Sequence, residues 1–387
     1  AQDMSVSLRQ RHDNRSRCSE SRMSSQNHKI DDSKEAQSAL RQQLETAAVV
    51  CSWFALNITI ASSTKWIFEY GTICIEDKGC TQYKFPVAIT VIHMIFSWML
   101  CRFYLFQWRG GLAGKTLSLV QQVREIMPLS LCFALSVAMG NLSLKYIYPS
   151  FNQMLGSMSP LITVLLAVLL QRKQFSLTTW LSMPVICAGL AVCSLKELNF
   201  NALGAFYASG ATVLRAVKSL IQGRLLTQSH KMDSVTLLYY MAPWAAMWLT
   251  ILMLILEGGA PLFLLLTGLH PVLGTENRDV AGAGQVLILL MFSGLNACLL
   301  NIANFLVTSY TSPVTLQVLG NVKSCLSIAV SVAIFRNSLT VEQAFGVVTC
   351  LLGVWLYNRK SSSTPRATKA EESKTTESTE LPRIGRS

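Results

Sequence analysis

A run of residues that occurs twice constrains the fold of this chain more than any other feature. The two copies lie 164 positions apart (310 minus 146) without a gap, and both lie in apolar sequence interrupted by short polar loops. The matched residues are Tyr146, Pro149, Gln153, Leu155, Gly156, Val168, Arg172 and Gly189, then Tyr310, Pro313, Gln317, Leu319, Gly320, Val332, Arg336 and Gly353. Internal repeats of this kind are typical of secondary transporters, which hold their substrate between two halves.

The composition indicates a membrane protein. Hydrophobic residues make up 51% of the chain and charged residues only 14%, whereas soluble domains carry about 25% charged residues. Ten apolar stretches reach the length of roughly 17 to 25 residues that crosses a hydrocarbon core. They are residues 47–68, 85–105, 128–147, 151–170, 177–195, 202–223, 235–256, 285–309, 314–335 and 341–357. We therefore predict an all-α membrane protein with ten transmembrane helices.

The two ends of the chain differ in composition from the middle. Residues 1–46 and 359–387 are rich in Ser, Thr, Gln and charged residues, and such segments bury too little apolar surface to fold. We expect two disordered tails around one transporter domain at 47–358, with halves at 47–195 and 202–357. The N-terminal tail contains several acidic residues, unlike organelle transit peptides, so the first span is expected to act as its own signal anchor.

The net charge of +12 follows membrane topology and does not indicate a nucleic-acid partner. The basic residues cluster in the tails and in alternate loops, which places those loops and both termini in the cytosol. The loop residues are Arg109, Lys115, Arg124, Arg172, Lys173, Arg224, Lys231, Arg359 and Lys360.

The repeat and the topology together predict inverted halves. The first copy occupies spans three to five and the second copy spans eight to ten, so the copies enter the membrane from opposite faces. Two five-helix repeats of inverted topology follow. Arg172 is then cytosolic, and its counterpart Arg336 lies on the other side.

Positive charges lie inside the predicted spans although no Asp or Glu lies in the interior of a span. A positive charge in a bilayer costs about 2.5 to 3.5 kcal/mol on insertion scales and normally pairs or faces a cavity. Because no acidic partner is available, an anionic substrate is the simplest partner. These cationic or titratable residues are Lys65, His93, Lys145, Arg215, Lys218 and Lys323.

Lys323 is the strongest candidate for substrate contact. It lies roughly 13 Å into its span at 1.5 Å per residue, too deep for its ammonium group to reach the interface easily. A structural lysine held by carbonyls or hydroxyls is the alternative. Gly320, one turn earlier, removes a side chain that would block approach to it.

The other cations have competing interpretations. Arg215 and Lys218 share a helix face, and extension to the lipid headgroups explains Lys218 more easily than Arg215. Lys145 and Lys65 lie near span ends, where an interfacial anchor competes with a role at the site. His93 is either a proton site or hydrogen-bonded to a neighbouring helix.

Uncharged polar residues extend the candidate site. Tyr310 is either an interfacial aromatic residue or a ring that closes over the ligand. Gln153 and Gln317 lie on the repeated helices, where an interhelical hydrogen bond competes with substrate contact. Cys74 and Cys80 share a loop on the non-cytosolic side and form either a disulfide or two free thiols. No enzyme motif or metal-ligand spacing is present in the sequence, so we expect no catalysis and no cofactor.

Two stretches resemble a known family. RAVKSLIQGRLL and LLYYMAP between Arg215 and Pro243, and NIANFLVTSYTSPVTLQVLGNVKS from Asn301, resemble the triose-phosphate translocator and nucleotide-sugar transporter branch of the drug/metabolite transporter superfamily. TKWIF and FPVAITVIHM are similar to its first two spans, and the resemblance covers residues 47–358. It implies ten helices in inverted halves and exchange of a small phosphorylated anion by alternating access.

The motifs differ from those of the plastid sugar-phosphate members. Gln153 and Gly156 stand where those members have His-x-x-Lys, and Lys323 is followed by Ser324 where they have Lys-Arg. The chain is more similar to the Lys-Thr group, several of which move UDP-sugars in the Golgi, and Gly320-Asn321-Val322-Lys323 is one residue short of the GALNK of GDP-sugar members. We therefore expect exchange of a nucleotide sugar for a nucleotide monophosphate in the Golgi or another endomembrane.

Two alternatives stay open. One is a sugar-phosphate/phosphate or phosphoenolpyruvate translocator, and the other is a transporter-like regulator that moves nothing. The expected partners are a phosphorylated anion and membrane lipid. The sequence does not fix the sugar, the base, proton coupling or the oligomeric state, and a homodimer stays open.

Overall fold

The computed structural model describes residues 37–75, 79–111, 116–193, 201–229, 232–264, 281–335 and 341–361, divided into two units at Trp53 and Phe54. Helices dominate these residues. In chain order they are α1 Gln37–Tyr70, α2 Pro86–Trp108, α3 Leu119–Ser143, α4 Pro149–Gly156, α5 Ser159–Gln171, α6 Leu177–Cys193, α7 Ala202–Arg224, α8 Ser234–Leu256, α9 Ala281–Tyr310, α10 Pro313–Phe335 and α11 Val341–Ser361. An antiparallel hairpin of β1 Thr72–Ile75 and β2 Gly79–Gln82 follows α1.

The helices support the predicted membrane fold. Within the described ranges, six segments are long and apolar enough to cross a bilayer: Gln37–Tyr70, Pro86–Trp108, Leu119–Ser143, Phe151–Gln171, Ser234–Leu256 and Val286–Tyr310. The mostly helical membrane architecture is therefore confirmed. The count of ten crossing helices and the inverted arrangement stay predictions, and Arg336 lies outside the described residues.

The first helix begins at Gln37, within the segment that was expected to be a disordered tail. Ala, Leu, Gln, Arg and Glu dominate residues 37–45, and these are strong helix formers. An exposed ion pair of 3.1 Å joins Arg41 to Glu45 across one turn. Because the apolar span already provides a helix to extend, these residues continue it without a new nucleation cost. At the other end, α11 continues to Ser361.

The predicted fourth span is broken in the middle. Helix α4 ends at Gly156 and α5 begins at Ser159, with Pro160 in its first turn. Proline has no N–H to donate to the carbonyl of Gly156, and its ring clashes with that carbonyl. In the second copy Ser324 stands in place of Pro160, and α10 runs without a break. Proline at one of two equivalent positions thus explains why only the first copy is discontinuous.

Helix α7 lies among the helices that form the site. It packs against α3, α4 and α5 of the first copy and against α10 of the second. Ala208, Ala211, Thr212 and Ala216 on it are buried, and these small side chains let neighbouring helices approach closely. Polar residues on α7 are therefore held close to both copies.

Helices α6 and α11 pack against each other through equivalent glycines. A side chain at Gly189 would meet the backbone of Cys350, and one at Gly353 would meet Ile186 with its backbone nitrogen at 2.8 Å. Ile186 and Cys350 are themselves 164 positions apart (350 minus 186), so each contact is the counterpart of the other. Reciprocal contacts of this kind are expected where a two-fold axis relates two equivalent elements.

This packing gives a stability prediction. We expect Gly189→Ala to destabilise the protein by about 1 to 3 kcal/mol, the usual cost of overpacking, because the new methyl group would lie 2.8 Å from the Cα of Cys350. Thermal unfolding in detergent measures the change. Gly320→Ala is the matched control, since a methyl group there meets nothing within 4 Å. Equal melting temperatures for the two variants would contradict the close packing of α6 and α11.

Candidate functional site

A cavity of about 390 Å³ lies where α4, α5, α7 and α10 meet. Polar residues form much of its lining, beside Leu144, Pro149 and Leu190, although each of these helices is largely apolar elsewhere. The polar lining residues are Asn152, Gln153, Ser157, Ser159, Arg215, Gln317, Asn321, Lys323 and Ser324. A concave space with convergent polar groups is the usual form of a small-molecule site.

A second cavity of about 400 Å³ adjoins the first. The two share Leu144, Asn152 and Arg215 as lining residues, and the second extends between α1, α2 and α3. Its further polar lining consists of Thr64, Thr90, His93, Ser136 and Asn141. Arg215 therefore lies at the junction of two spaces with uncharged polar walls.

The charge of this combined space is positive. Arg215 and Lys323 line it, and no Asp or Glu is among the described residues that line either cavity. The Nζ of Lys323 donates to the Oδ1 of Asn57 at 3.1 Å, a neutral acceptor that leaves the ammonium charge uncompensated. Two like charges facing one low-dielectric space favour the binding of an anion.

Two glycines make room for the Arg215 side chain. A Cβ atom at Gly140 on α3 would lie 3.3 Å from Nη2, and one at Gly156 at the end of α4 would lie 3.6 Å from Nη1. Among the described residues, no ion pair or hydrogen bond of the guanidinium is present. Its donors are therefore available to a ligand, and a bidentate fork suits a phosphate.

Hydrogen bonds across helices hold the other walls in place. Gln153 Nε2 donates to Ser324 Oγ at 2.7 Å, and Gln317 Nε2 donates to Ser219 Oγ at 2.6 Å. Both glutamines thus make the interhelical bonds that were the alternative to substrate contact, while they also line the cavity. Gly320 faces open space, as expected from its position one turn before Lys323.

The turn between α4 and α5 forms part of the cavity wall. Asn321 Nδ2 donates to the carbonyl oxygen of Ser157 at 2.9 Å, in the turn that Pro160 interrupts. Ser157 and Asn321 are equivalent positions of the two copies (321 minus 157 is 164). The first copy therefore contributes a backbone carbonyl, which also accepts from Cys187 Sγ at 3.3 Å, and the second contributes a side chain that binds it.

Three predicted site residues do not line either central cavity. The Nζ of Lys218 lies over the ring of Phe133, 4.7 Å from its centroid, a cation–π contact. Lys145 is exposed, and Tyr310 is 40% exposed. The sequence placed Lys218 beside Arg215 correctly, but it could not show that Phe133 of α3 lies under the ammonium group.

The remaining titratable candidates have local partners. Lys65 forms an exposed ion pair of 3.6 Å with Glu69, which fits an interfacial anchor. His93 Nε2 lies 2.9 Å from Ser293 Oγ of α9, and the ring also lines the second cavity. Cys74 and Cys80 are directly opposite in the register of the hairpin, and whether they form a disulfide stays open.

Glu257, the acidic residue at the end of α8, is engaged elsewhere. Its carboxylate accepts hydrogen bonds from the backbone nitrogens of Val87 at 2.7 Å and Ala88 at 2.9 Å. Burial raises the pKa of Glu257, and the two backbone donors oppose that rise. A carboxylate at the N-terminus of α2 also interacts favourably with the helix dipole. This acid fixes the start of α2 and is not a lining residue of the central cavities.

The sequence analysis did not identify Asn57, Gly140 and Asn321 as parts of the site. Their roles depend on which helices cross at Arg215 and Lys323. A polar residue facing a candidate cation from another span is the only signal that could have indicated Asn57.

Comparisons with known proteins agree with this geometry. The sequence model of the Triose-phosphate Transporter family matches residues 44–358. Three relatives from Arabidopsis thaliana are each 32% identical: a probable sugar phosphate/phosphate translocator, UDP-galactose transporter 1 and a GDP-mannose transporter. The alignments cover 81%, 80% and 80% of this chain and 94%, 84% and 83% of the respective relatives. One solved crystal structure, 13% identical, matches 82% of this chain and 96% of its own with a TM-score of 0.52, which concerns the fold alone.

Proposed function

Since the chain belongs to the Triose-phosphate Transporter family, we propose that it exchanges a nucleotide sugar for a nucleotide monophosphate across an endomembrane by alternating access. The observation that carries the proposal is the charge of the central space. Arg215 and Lys323 line it, and no acidic residue is among its described lining residues. A phosphorylated substrate would supply the negative charge that balances these two cations. Lys323 would act as a point charge on one phosphate and Arg215 as a bidentate fork on the next.

The shape of the space favours a nucleotide sugar over a smaller sugar phosphate. Each cavity is near the lower end of the range of about 300 to 1,000 Å³ that holds small ligands, and Arg215 lies where the two meet. A nucleotide sugar has a charged diphosphate between two uncharged polar ends. Its charge distribution therefore matches cations at the centre and amides and hydroxyls at the ends.

The remaining predicted residues fit this arrangement to different degrees. Ser324, Gln153 and Gln317 line the first cavity and would orient the ligand, while Gly320 leaves space for it. Lys218, Lys145 and Tyr310 do not line it in this conformation. We retain Lys145 and Tyr310 as predicted contacts of another state, because alternating access changes which residues of a transporter face the substrate. Lys218 we expect to stay over Phe133.

A sugar-phosphate/phosphate or phosphoenolpyruvate translocator is the second candidate. The probable sugar phosphate/phosphate translocator is 32% identical to this chain, the same identity as the two nucleotide-sugar relatives. A small phosphate ester would occupy only the cavity around Lys323 and leave the second cavity without ligand contacts. A regulator that transports nothing gives no reason for uncompensated cations in the central space.

Counterflow uptake into liposomes separates these candidates. Purified protein is loaded with UMP, GMP, CMP or phosphate and offered labelled UDP-, GDP- and CMP-sugars, triose phosphate and phosphoenolpyruvate. We expect uptake of one class of nucleotide sugar that depends on the matching internal nucleotide monophosphate. Uptake of triose phosphate or phosphoenolpyruvate against phosphate alone would favour the second candidate, and no uptake of any of them would favour the regulator.

We also propose the inverted two-fold arrangement and the membrane orientation. The reciprocal contacts of Gly189 and Gly353, and the bond between the equivalent residues Ser157 and Asn321, support a two-fold relation between the copies. The domain at 47–358 would then consist of halves at 47–195 and 202–357, with both termini in the cytosol of a Golgi or related membrane.

The orientation gives a labelling prediction. Single cysteines at Arg172 and Arg336 in a protein without other reactive thiols should react from opposite sides with a membrane-impermeant maleimide. Arg172 follows α5 and is predicted to lie in a cytosolic loop, so a cysteine there should be modified from the cytosolic side. Arg336 is its counterpart in the inverted second copy and should therefore be modified from the opposite side. Modification of both from one side would contradict the inverted arrangement, and Lys173 provides a second cytosolic control.

A further inference from the structure

A third cavity, of about 520 Å³, lies apart from the central space. It is bounded by α3, α5 and α7 and extends to Leu225, and none of its lining residues lines either central cavity. Its lining consists of Pro128, Leu170, Gln171, Val217, Leu220, Ile221 and Leu225 together with Arg124, Glu125 and Arg224. The space therefore has mostly aliphatic walls and a small number of charged residues.

This cavity lies on a different face of α7 from the substrate cations. Val217, Ile221 and Arg224 follow helical spacing of four and three residues and form one stripe. Ser219 and Gln222 on another face bond to Gln317 of α10 and Thr308 of α9. The two faces of α7 thus contact different surroundings.

The charged residues lie where three helices end. Arg124 is in the second turn of α3, Gln171 is the last residue of α5, and Arg224 is the last α-helical residue of α7, followed by one π-helical turn at Leu225–Ser229. Helix ends lie at the surface of a bilayer, and the aliphatic wall residues extend from there towards its interior. The cavity thus combines a basic mouth at headgroup level with an apolar interior.

The surface around the cavity is apolar and exposed. Leu170 lines the cavity and is 65% exposed, and two chain neighbours of lining residues, Leu169 and Val123, are 74% and 44% exposed. Such side chains face acyl chains in a membrane protein. The cavity is therefore accessible from the lipid.

From this combination we propose that the third cavity binds an anionic phospholipid of the leaflet that faces these helix ends. The two arginines contact the phosphate and the acidic headgroup, and an acyl chain lies along Val217, Ile221 and Leu170. Two arginines outweigh the single carboxylate of Glu125, and basic pockets between transmembrane helices are recognised sites for anionic headgroups. A soluble phosphate would contact the arginines alone and leave the aliphatic walls unfilled. The proposal is independent of which substrate the central space carries.

The test compares lipids and variants of the full chain in a neutral detergent. Thermal unfolding is followed while dioleoyl-phosphatidylserine or dioleoyl-phosphatidylcholine is added, and bound lipid is counted by native mass spectrometry. We expect phosphatidylserine to raise the melting temperature of the parent more than phosphatidylcholine does. In Arg124→Gln/Arg224→Gln the half-saturating phosphatidylserine concentration should rise by about 25-fold, at roughly fivefold for each basic residue.

Two further variants distinguish the cavity from general surface charge. Lys173→Gln removes an exposed basic residue at the same membrane surface that does not line the cavity, and it should keep the preference for phosphatidylserine. Val217→Trp fills the apolar part, and it should lose the preference with both arginines in place. An unchanged preference in the double arginine variant, or an equal loss in Lys173→Gln, would overturn the proposal. Inorganic phosphate that reproduces the full shift would do the same, since it would show a site for a soluble anion.

Discussion

Replacing Lys323 with methionine is expected to abolish exchange while the protein still folds. Lys323 lines the cavity, and its described partner is the neutral Oδ1 of Asn57 at 3.1 Å. Removing a charge that has no acidic partner also removes the free-energy cost of placing that charge in the membrane. The melting temperature of Lys323→Met should therefore equal or exceed that of the parent. Loss of a hydrogen-bonded charge on phosphate costs about 3 kcal/mol, or roughly a hundredfold in affinity. Counterflow uptake and thermal unfolding of the same preparations measure both effects.

Two controls separate substrate contact from a structural role of Lys323. Lys323→Arg should recover only part of the exchange, because a planar guanidinium does not fit where a compact ammonium is used. Asn57→Ala removes the described partner and should keep most of the exchange, since the charge on Lys323 remains. If Asn57→Ala and Lys323→Met lose stability equally, Lys323 is a structural residue, and if Lys323→Met exchanges at the parent rate, the site assignment is wrong.

Local sequence was sufficient to predict a mostly helical chain with membrane-spanning segments, of which six are long and apolar enough among the described residues. Their signals, apolar length and the polar loops between them, are properties of short segments. The break at Pro160 was visible in principle, because proline removes a hydrogen bond and its ring clashes with the preceding turn. It was missed because apolar length alone treats 151–170 as continuous. The early start of α1 was missed for the opposite reason, since polar helix formers such as Arg41 and Glu45 resemble a disordered tail in composition.

Only the charged residues of the candidate site could be predicted from the sequence. Lys323 and Arg215 were identified because an unpaired cation within a span is costly wherever the helices lie. The position of Lys218 over Phe133, and of Gly140 beside Arg215, depends on how α3 crosses α7. Sequence spacing places residues on one helix face but does not show which neighbour that face meets.

The second large effect is expected at Arg215. Its guanidinium lines both central cavities and lies between Gly140 and Gly156. We expect Arg215→Gln to reduce exchange at least a hundredfold, because it removes the charge at the junction where a diphosphate would lie. The loss of about 3 kcal/mol is typical when one partner of a buried charge pair is truncated. Arg215→Lys should recover a small part, since it restores the charge without the bidentate fork.

Lys218→Gln is the matched control for Arg215→Gln, because it removes the same charge three residues further along the same helix. The ammonium group of Lys218 lies over Phe133 and does not line the central space. Loss of a cation–π contact costs about 0.5 to 2 kcal/mol of stability, so this variant should melt earlier and yet exchange within a few fold of the parent. Arg215→Gln should therefore lose exchange, whereas Lys218→Gln should lose mainly thermal stability. Equal loss of exchange in both would show that α7 presents one continuous basic face to the substrate, and that Lys218 leaves Phe133 during the transport cycle.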